Sequence, residues 1–349
     1  MTRAFHALLA TLAFTVCAGV VDGQGLELHF IDVGQGDVVL VRSPSGQNVL
    51  VDGGRRDDNA LTYLRSVGVE SLDLVIASHA DADHIGGLEE VVRYYKPRFY
   101  LDNGIPHTTQ TYSGLLEAVQ TAGSQLIEPT DRRIGLGDAA LQVVPPPGDE
   151  SMGNNDNSVG VIVSYGAFDA ALTGDAEQPE FGWWQQNVPH LLRPVEVYKA
   201  AHHGSPNGDS PESMAAFRPG AVIISVGADN DYGHPSAGAL ALYEGVGADV
   251  YRTDLSGTVI ITASSSGDYT VNAEPSSPAL AAPAPSEPVN EPVSAPSSSL
   301  PYDPFGPDRD CGDFASQSEA QAFYEAAGGP AADPHRLDGE GDGLACEAS

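Results

Sequence analysis

The sequence predicts a mixed α/β domain that is followed by a linker and a small second module. Short apolar runs of strand length recur between Leu26 and Val271, and several of them end in a cluster of His, Asp or Asn side chains. From Glu274 to Leu300 the chain is almost entirely Pro, Ser, Ala, Glu and Val, a composition that cannot bury a core. The 349 residues are enough for one large domain and a smaller one.

The charge of the chain limits what it can bind. Its formal net charge is -32, with 16 Lys and Arg against 48 Asp and Glu. Such a surface offers no basic stripe to a phosphate backbone, which argues against tight, processive binding of DNA. Hydrolysis of a phosphodiester at a metal site stays open, because bound metal ions supply positive charge locally. The acidity could equally be an adaptation to salt.

The first 23 residues have the pattern of a signal peptide. An apolar run, Ala7–Val16, follows Arg3 and is too short to span a membrane comfortably. Cleavage fits after Ala18 or after Gly23. Cys17 would suggest a lipoprotein, but the Val before it is too bulky for the usual lipobox. No other segment is apolar enough to cross a membrane, so we expect a secreted, periplasmic or envelope-associated bacterial protein.

The chain between these ends divides into alternating strands and helices. We expect strands at 26–33, 38–41, 48–51, 72–77, 98–101, 140–144, 159–165, 168–172, 195–201 and 221–227, and closing strands within 250–271. We expect helices at 59–67, 88–95, 112–122 and 177–187. The opening hairpin strands favour antiparallel pairing.

The strongest functional signal is a polar cluster between the predicted strand 72–77 and the helix 88–95. It places His79, Asp81, Asp83 and His84 within six residues. His79 and Asp81 can converge on one point, and Asp83 and His84 suit a second point nearby. Such a layout suits two divalent ions held by nitrogen and oxygen ligands. A solvated polar turn is the alternative, but matching clusters follow later strands.

Those later clusters lie at three further positions. Asn154–Ser158 reads as a polar turn when it is taken alone. Asp175 closes a Leu-Thr-Gly-Asp segment after the strand 168–172, and His202 and His203 follow the strand 195–201. Lys199 could pair with a substrate oxyanion, although a surface lysine is the default reading. His234 lies in a Gly-His-Pro segment further on.

The segment His79-x-Asp81-x-Asp83-His84, followed by Ile-Gly-Gly-Leu, resembles the second motif of the metallo-β-lactamase superfamily, with Asp81 in place of the second His. That variant is similar to the hydrolase domain of the competence DNA-uptake protein ComEC and its secreted relatives. The resemblance covers about Leu26 to Val271. It implies an α/β fold of the four-layer αββα sandwich type, with the metals at one edge.

The resemblance also implies roles for individual residues. Asp175 would bridge two metals, and Asn154–Ser158 would occupy the position of the third superfamily His. Of the adjacent pair, His202 is favoured as the ligand. The implied metal ligands are His79, Asp81, Asp83, His84, Asp175 and His202. The implied catalytic residues are Asp83, Asp175, His203, Lys199 and His234.

The predicted domains are a hydrolase domain at 24–273, a linker at 274–307 and a calcium-binding module at 308–349. Two cysteines in an exported chain, Cys311 and Cys346, predict one disulfide within this module. Its acidic, Gly-rich loop suits oxygen-only ligation of Ca²⁺. The module closely resembles the excalibur domain, although Glu340 stands where an Asp is usual. The candidate calcium ligands are Asp338, Glu340, Asp342 and Glu347.

These features predict an exported hydrolase that uses two divalent transition metals, Zn²⁺ or Mn²⁺. The resemblance to ComEC implies a phosphodiester substrate, such as extracellular DNA, and transient contact with nucleic acid. Hydrolysis of a small ester, lactone or β-lactam is the alternative within enzymes. A non-catalytic binding protein that the calcium module retains at the cell envelope is the alternative outside them.

Overall fold

The computed structural model describes residues 25–56, 60–228, 230–276, 317–326 and 345. The chain divides into two units, Met1–Ala281 and Ala282–Ser349. The predicted signal peptide and most of the predicted linker lie outside the described residues. So do the predicted disulfide and calcium ligands, namely Cys311, Asp338, Glu340, Asp342, Cys346 and Glu347. These remain predictions.

Strands and helices alternate through the first unit. The strands are β1 (Leu26–Phe30), β2 (Val39–Arg42), β3 (Asn48–Val51), β4 (Leu74–Ile76), β5 (Phe99–Leu101), β6 (Gln125–Ile127), β7 (Arg132–Leu136), β8 (Ala139–Val144), β9 (Gly160–Tyr165), β10 (Phe168–Leu172), β11 (Val197–Lys199), β12 (Ala221–Ile224), β13 (Asp249–Arg252), β14 (Val259–Ala263) and β15 (Tyr269–Val271). The helices are α1 (Ala60–Ser66), α2 (Ala82–Ile85), α3 (Leu88–Tyr95), α4 (Gln110–Ala122), α5 (Gln178–Asn187), α6 (Pro211–Phe217), α7 (Ala237–Gly245) and α8 (Thr253–Ser256). In the second unit, α9 spans Gln317–Ala326.

The strands form two sheets. The first has the order β15-β14-β1-β2-β3-β4-β5-β6, and the second has the order β13-β12-β11-β10-β9-β8-β7. In each sheet one half is antiparallel and the other half parallel. The parallel halves are β3 to β6 in the first sheet and β10 to β13 in the second.

Alternation along the strands sorts side chains between layers. Leu74 and Ile76 of β4 join a core between the two sheets, whereas Val75 faces the helical layer of α1, α3 and α4. Ile223 of β12 likewise joins the core between the sheets, and Val222 packs with the helices α5 to α7. The layers are therefore helix, sheet, sheet and helix, which confirms the predicted α/β sandwich.

Some elements differ from the sequence-based expectation. The predicted strand 72–77 shortens to β4, and the polar cluster after it contains the short helix α2. The sequence did not predict β6, because Gln125 and Leu126 are exposed and show no apolar alternation. Within the described residues, no helix is both long and apolar enough to span a membrane.

The second unit has a small apolar cluster of its own. Ala320, Phe323 and Tyr324 of α9 are buried with Ala345. The backbone N–H of Ala345 donates a hydrogen bond to Oε1 of Gln321 at 2.8 Å. Helix α9 is therefore held to a residue that immediately precedes the predicted disulfide partner Cys346.

Candidate metal centre

The candidate centre lies where strands of both sheets end. β4 leads into His79, β10 leads into Asp175, and β11 leads into His202 and His203. In open α/β sheets the carboxyl ends of parallel strands form the usual ligand crevice. The topology thus brings three separate segments of the sequence to one place.

His84 and Asp175 form the centre of the cluster. Nε2 of His84 lies 3.0 Å from Oδ2 of Asp175, and both side chains are buried. Burial alone would lower the pKa of His84, but Asp175 and Asp52 hold it well above its usual value. Burial likewise would raise the pKa of Asp175, but His203 and His84 hold it well below its usual range. The two neighbouring groups therefore favour each other's charged form, although both side chains are buried.

His79 and Asp81 lie on one side of this pair. The ring of His79 is centred 4.2 Å from the ring of His84, and its Nε2 lies 3.3 Å from Oδ2 of Asp81. Asp81 is partly exposed and accepts a hydrogen bond of 2.6 Å from Nδ2 of Asn154. The pKa of Asp81 is below its usual value, because hydrogen bonds from His79 and Asn154 outweigh the effect of burial.

His203 and Asp83 lie on the other side. Nε2 of His203 is 3.2 Å from Oδ2 of Asp175 and 3.5 Å from Oδ2 of Asp83. Its Nδ1 donates to the carbonyl oxygen of Ser225 at 2.9 Å, which leaves Nε2 directed at the cluster. His203 is 1% exposed. Burial would raise the pKa of Asp83, but the hydrogen bond from His203 and the charge of His84 lower it.

His202, the favoured ligand of the pair, lies further out. Its Nε2 is 3.8 Å from Oδ2 of Asp175, and its Nδ1 is 3.1 Å from Oε1 of Glu177. His202 and His203 both have left-handed backbones, with φ of 47° and 53°. This conformation is unfavourable for residues with a Cβ and turns the second imidazole, rather than the first, into the cluster. The geometry therefore favours His203 over His202.

Asp52 orients the His84 ring by binding Nδ1, the ring nitrogen that faces away from Asp175. It also has a left-handed backbone, with φ of 61°. Its Oδ2 accepts from Nδ1 of His84 at 2.9 Å, and its two oxygens accept from the backbone N–H and the hydroxyl of Ser78 at 2.7 Å each. A carboxylate on the far nitrogen of an imidazole fixes its tautomer and keeps Nε2 free for a metal.

A buried ion pair underlies the cluster. Lys199 is 1% exposed, and its Nζ contacts Oδ2 of Asp37 and lies 3.6 Å from Oδ1 of Asp175. It also donates to the carbonyl oxygen of Gly174 at 2.8 Å. The default reading of Lys199 as a surface lysine is therefore wrong. The sequence did not single out Asp37, and only its neighbourhood in the opening Gly-Gln-Gly-Asp turn hinted at a role.

The Asn-rich segment supports the cluster through hydrogen bonds. Asn154 donates to Asp81, and Nδ2 of Asn155 donates to Oε1 of Glu177 at 3.1 Å. The hydroxyl of Ser158 lies 3.4 Å from Nδ1 of His79 and accepts from the backbone N–H of Asp175 at 3.2 Å. These residues hold charged side chains in place, as polar residues around metal sites commonly do.

A cavity of about 560 Å³ opens over the cluster. Its lining includes Asp81, Asp83, Asp175, His202, His203 and His234. His234 is partly buried, and its ring is centred 5.4 Å from that of His202. Burial and the two neighbouring imidazoles lower the pKa of His234 to about 4. Of the residues predicted for the metal centre, the buried His79, His84 and Lys199 are absent from this lining.

The donor atoms fit divalent metal ions. The buried atoms that form no aligned hydrogen bond among the described residues include four around the cluster: Nε2 of His79, His84 and His203, and Oδ1 of Asp175. Each of these Nε2 atoms lies 3.0–3.3 Å from a carboxylate oxygen, close enough for both to share a cation. Among the described residues, ligand atoms of His79, His84 and Asp175 lie within 4.8 Å of one another, and so do those of Asp83, His84 and His203. Buried polar atoms are normally paired, so converging unpaired ones indicate a missing cation. Imidazole and carboxylate ligands suit Zn²⁺ and Mn²⁺.

Together, the sandwich fold and this donor set define a metal-dependent hydrolase. Residues 31–227 match the family model of the Metallo-beta-lactamase superfamily, and the chain therefore belongs to that superfamily. Residues 308–347 match the Excalibur calcium-binding domain. Both resemblances seen in the sequence are thereby confirmed.

Curated relatives agree with the ComEC-type resemblance. The chain is 28% identical over 257 residues to ComE operon protein 3 of Bacillus subtilis (strain 168). This alignment covers 67% of this chain and 32% of that protein. It is 28% identical over 240 residues to Recombination protein 2 of Haemophilus influenzae, covering 67% and 28%. The chain thus spans about a third of the length of these relatives. The metallo-beta-lactamase fold protein YhfI from Bacillus subtilis aligns with a TM-score of 0.45 at 14% identity, covering 71% of this chain and 99% of YhfI.

Proposed function

We propose that this protein is an exported hydrolase that holds two divalent transition metal ions and cleaves phosphodiesters. The observation that carries the proposal is the set of buried, unpaired imidazole and carboxylate atoms around Asp175. Burying such groups without partners is costly, so their convergence is best explained by the cations that they would bind. The Excalibur match supports a location outside the cytoplasm, and its calcium-binding description supports Ca²⁺ as a third bound ion.

The distances suggest which residues hold each ion. His79, Asp81 and Asp175 would hold one ion, and Asp83, His84, His203 and Asp175 would hold the other. A carboxylate has two oxygens and can therefore serve both ions. We assign His203 in place of the favoured His202, because His202 pairs with Glu177 at the margin.

The bound metals would supply an acidified water as nucleophile and a positive charge that stabilises the developing oxyanion. The protein's own residues do the rest. Asp52 keeps the His84 ring in one orientation, and Lys199 fixes the Asp175 loop through Gly174. His234 is neutral at neutral pH, since its pKa is about 4, and it faces the cavity. It can therefore exchange a hydrogen bond with the substrate without adding charge.

Two observations support a phosphodiester over an ester, lactone or β-lactam. Carboxylate Asp81 stands where the superfamily motif has His, which makes the donor set richer in oxygen and suits Mn²⁺ as well as Zn²⁺. One of the relatives at 28% identity is named as a recombination protein, a function that concerns DNA. A phosphodiesterase or nuclease acting on extracellular DNA or related phosphodiesters fits both.

The test begins with the metal content. Wild type and the variants Asp175→Asn, His203→Ala and His202→Ala are stripped of metal, reloaded with Mn²⁺ or Zn²⁺, and analysed by mass spectrometry of bound metal. We expect two ions in wild type and His202→Ala, but fewer in the other two variants. His202→Ala is the matched control, because it removes the neighbouring imidazole. Loss of metal from His202→Ala alone would reverse the assignment.

The second part measures turnover by the full chain. We expect metal-dependent hydrolysis of bis(p-nitrophenyl) phosphate without hydrolysis of nitrocefin. The opposite pattern would refute the phosphodiester proposal while leaving the metal centre standing. If wild type retains no transition metal at all, the alternative of a non-catalytic envelope-binding protein is favoured.

A further inference from the structure

Two adjacent arginines line the cavity of a protein that has few of them. Arg55 and Arg56 line the same 560 Å³ cavity as Asp83 and Asp175. The chain has only 16 Lys and Arg among 349 residues, so a pair at this place is unexpected from composition. The cavity therefore has carboxylates for cations at one side and guanidinium groups for an anion at another.

The backbone of the arginine pair is fixed against the metal-binding segment. A Cβ at Gly86 would lie 2.7 Å from the backbone carbon of Arg55 and closer still to the backbone nitrogen of Arg56. The backbone N–H of Gly87 donates to the carbonyl oxygen of Gly54 at 3.0 Å. Only glycines allow this approach of two chain segments. The pair is thereby held beside the turn that carries Asp83 and His84.

An aromatic side chain on a loop of the second sheet also lines this cavity. Tyr232 follows β12 and is 59% exposed. Its hydroxyl accepts a hydrogen bond of 3.0 Å from Nη2 of Arg55, so the two loops meet over the cavity. Its ring stacks on His234 with the centroids 5.8 Å apart and an interplanar angle of 28°. A solvent-exposed ring held flat in this way is a platform on which a base can stack.

The guanidinium of Arg56 can still be engaged by a ligand. It lies 3.3 Å from Oε2 of Glu89, and its side chain is 66% exposed. Exposed ion pairs of this kind contribute little free energy, so a phosphate can compete for the guanidinium. Guanidinium groups bind phosphate oxygens in a bidentate manner, which a lysine cannot do.

We propose that Arg55, Arg56 and Tyr232 form a subsite for the nucleotide next to the scissile phosphodiester. The arginines bind a second phosphate, and the Tyr232 ring stacks on an unpaired base. This inference rests on the proposed function and narrows its substrate to short single-stranded phosphodiesters that carry at least two phosphates. A cavity of this volume is of the size that holds one small ligand.

The test is equilibrium binding to the metal-loaded full chain, measured by calorimetry. The probes are inorganic phosphate, thymidine 5′-monophosphate and thymidine 3′,5′-bisphosphate. The variants are Arg55→Gln with Arg56→Gln, Tyr232→Ala, and Arg93→Gln as the control. Arg93 contacts the same Glu89 at 3.1 Å but does not line the cavity, so its loss removes one positive charge outside the cavity, half of the charge that the double variant removes.

We expect the double arginine variant to weaken binding of the bisphosphate about tenfold or more, as charge-assisted bonds to phosphate are lost. Binding of inorganic phosphate should change less than about twofold, because this probe needs only the metals. Tyr232→Ala should weaken both thymidine probes about tenfold through lost stacking. Tyr232→Phe should retain that affinity, because it keeps the ring.

Two results would overturn the inference. One is an equal loss for all three probes in the double variant, which would indicate a long-range charge effect. The other is a loss of binding free energy no larger than twice that in Arg93→Gln, which is what the removal of two charges outside the cavity would give. These binding results do not depend on turnover. Wild type could fail to hydrolyse phosphodiesters while the variants still show the probe-specific losses of binding. That result would refute the proposed activity and leave the subsite in place.

Discussion

Replacing Lys199 by Met tests whether a buried cation holds the floor of the metal centre together. Lys199 contacts Asp37, lies 3.6 Å from Asp175 and is 1% exposed. Its removal leaves Asp37, which is 2% exposed, with only imidazoles as compensation, namely Nδ1 of His203 at 3.4 Å and Nδ1 of His84 at 3.8 Å. Breaking a buried ion pair from one side costs about 3–5 kcal/mol. That is a third or more of the stability of many domains, which lies at about 5–15 kcal/mol.

The assay is urea unfolding of the full chain, with and without added Mn²⁺. We expect Lys199→Met to lose about 3–5 kcal/mol in the absence of metal. Added Mn²⁺ should recover part of this loss, since cations bound by Asp175 replace the missing positive charge. The control is Asp37→Leu combined with Lys199→Met, which removes both charges and should be more stable than Lys199→Met alone. A loss below about 1 kcal/mol, the range of exposed pairs, would refute the argument.

Three further predictions concern packing, pH and calcium. Gly86→Ala should cost about 2 kcal/mol or more in urea unfolding, because its Cβ would overlap the backbone at Arg55. Gly182→Ala should instead stabilise α5 by about 0.5–1 kcal/mol, since nothing lies within 4 Å of the added Cβ; equal effects of the two changes would contradict this reasoning. Burial raises the pKa of Glu180 well above its usual value, so the folded state keeps the proton to higher pH than the unfolded state. The free energy of unfolding should therefore fall as pH rises from the pKa of Glu180 in the unfolded state toward its pKa in the folded state. Glu180→Gln should remove that fall, which urea unfolding at about pH 4.5 and about pH 7.5 would measure. Asp342→Ala should abolish any Ca²⁺-dependent rise in the melting temperature of the second unit, and an undiminished rise would exclude Asp342 as a ligand.

The candidate ligands of the centre could be predicted from the sequence because they lie in short local motifs. An apolar run followed by His79-x-Asp81-x-Asp83-His84 predicts both a strand end and a set of ligands, and the structure brings these side chains to Asp175. The same reasoning favoured His202, which directly follows the strand, whereas the geometry favours His203. The geometry depends on two successive left-handed backbone conformations, which the residue types at these positions do not predict.

Contacts between distant segments were the part that the sequence could not provide. Asp37 lies in a Gly-rich turn and Lys199 at the end of a short strand, and nothing in either segment indicates that they form an ion pair. The arginine pair at the rim depends on the packing of Gly86 against a loop far from it in the chain. Sequence pattern therefore indicated the candidate ligands, whereas the contacts around them required the three-dimensional arrangement.

The charge at the candidate centre and the net charge of the whole molecule both affect which substrates would bind. Close to the candidate centre, Asp83, Asp175 and Asp37 outnumber Lys199, and the imidazoles of His84 and His203 would be neutral as metal ligands, so the charge balance favours added cations. Over the whole molecule the net charge of -32 repels any polyanion that extends beyond the cavity. At physiological salt each charge acts over about 8 Å, so a substrate confined to the cavity experiences mainly the charges that line it, among them Arg55 and Arg56. A long duplex must bring many phosphates close to that acidic surface, whereas a short single strand brings few. The selectivity for small phosphodiesters would then come as much from the field of the whole protein as from the shape of the cavity.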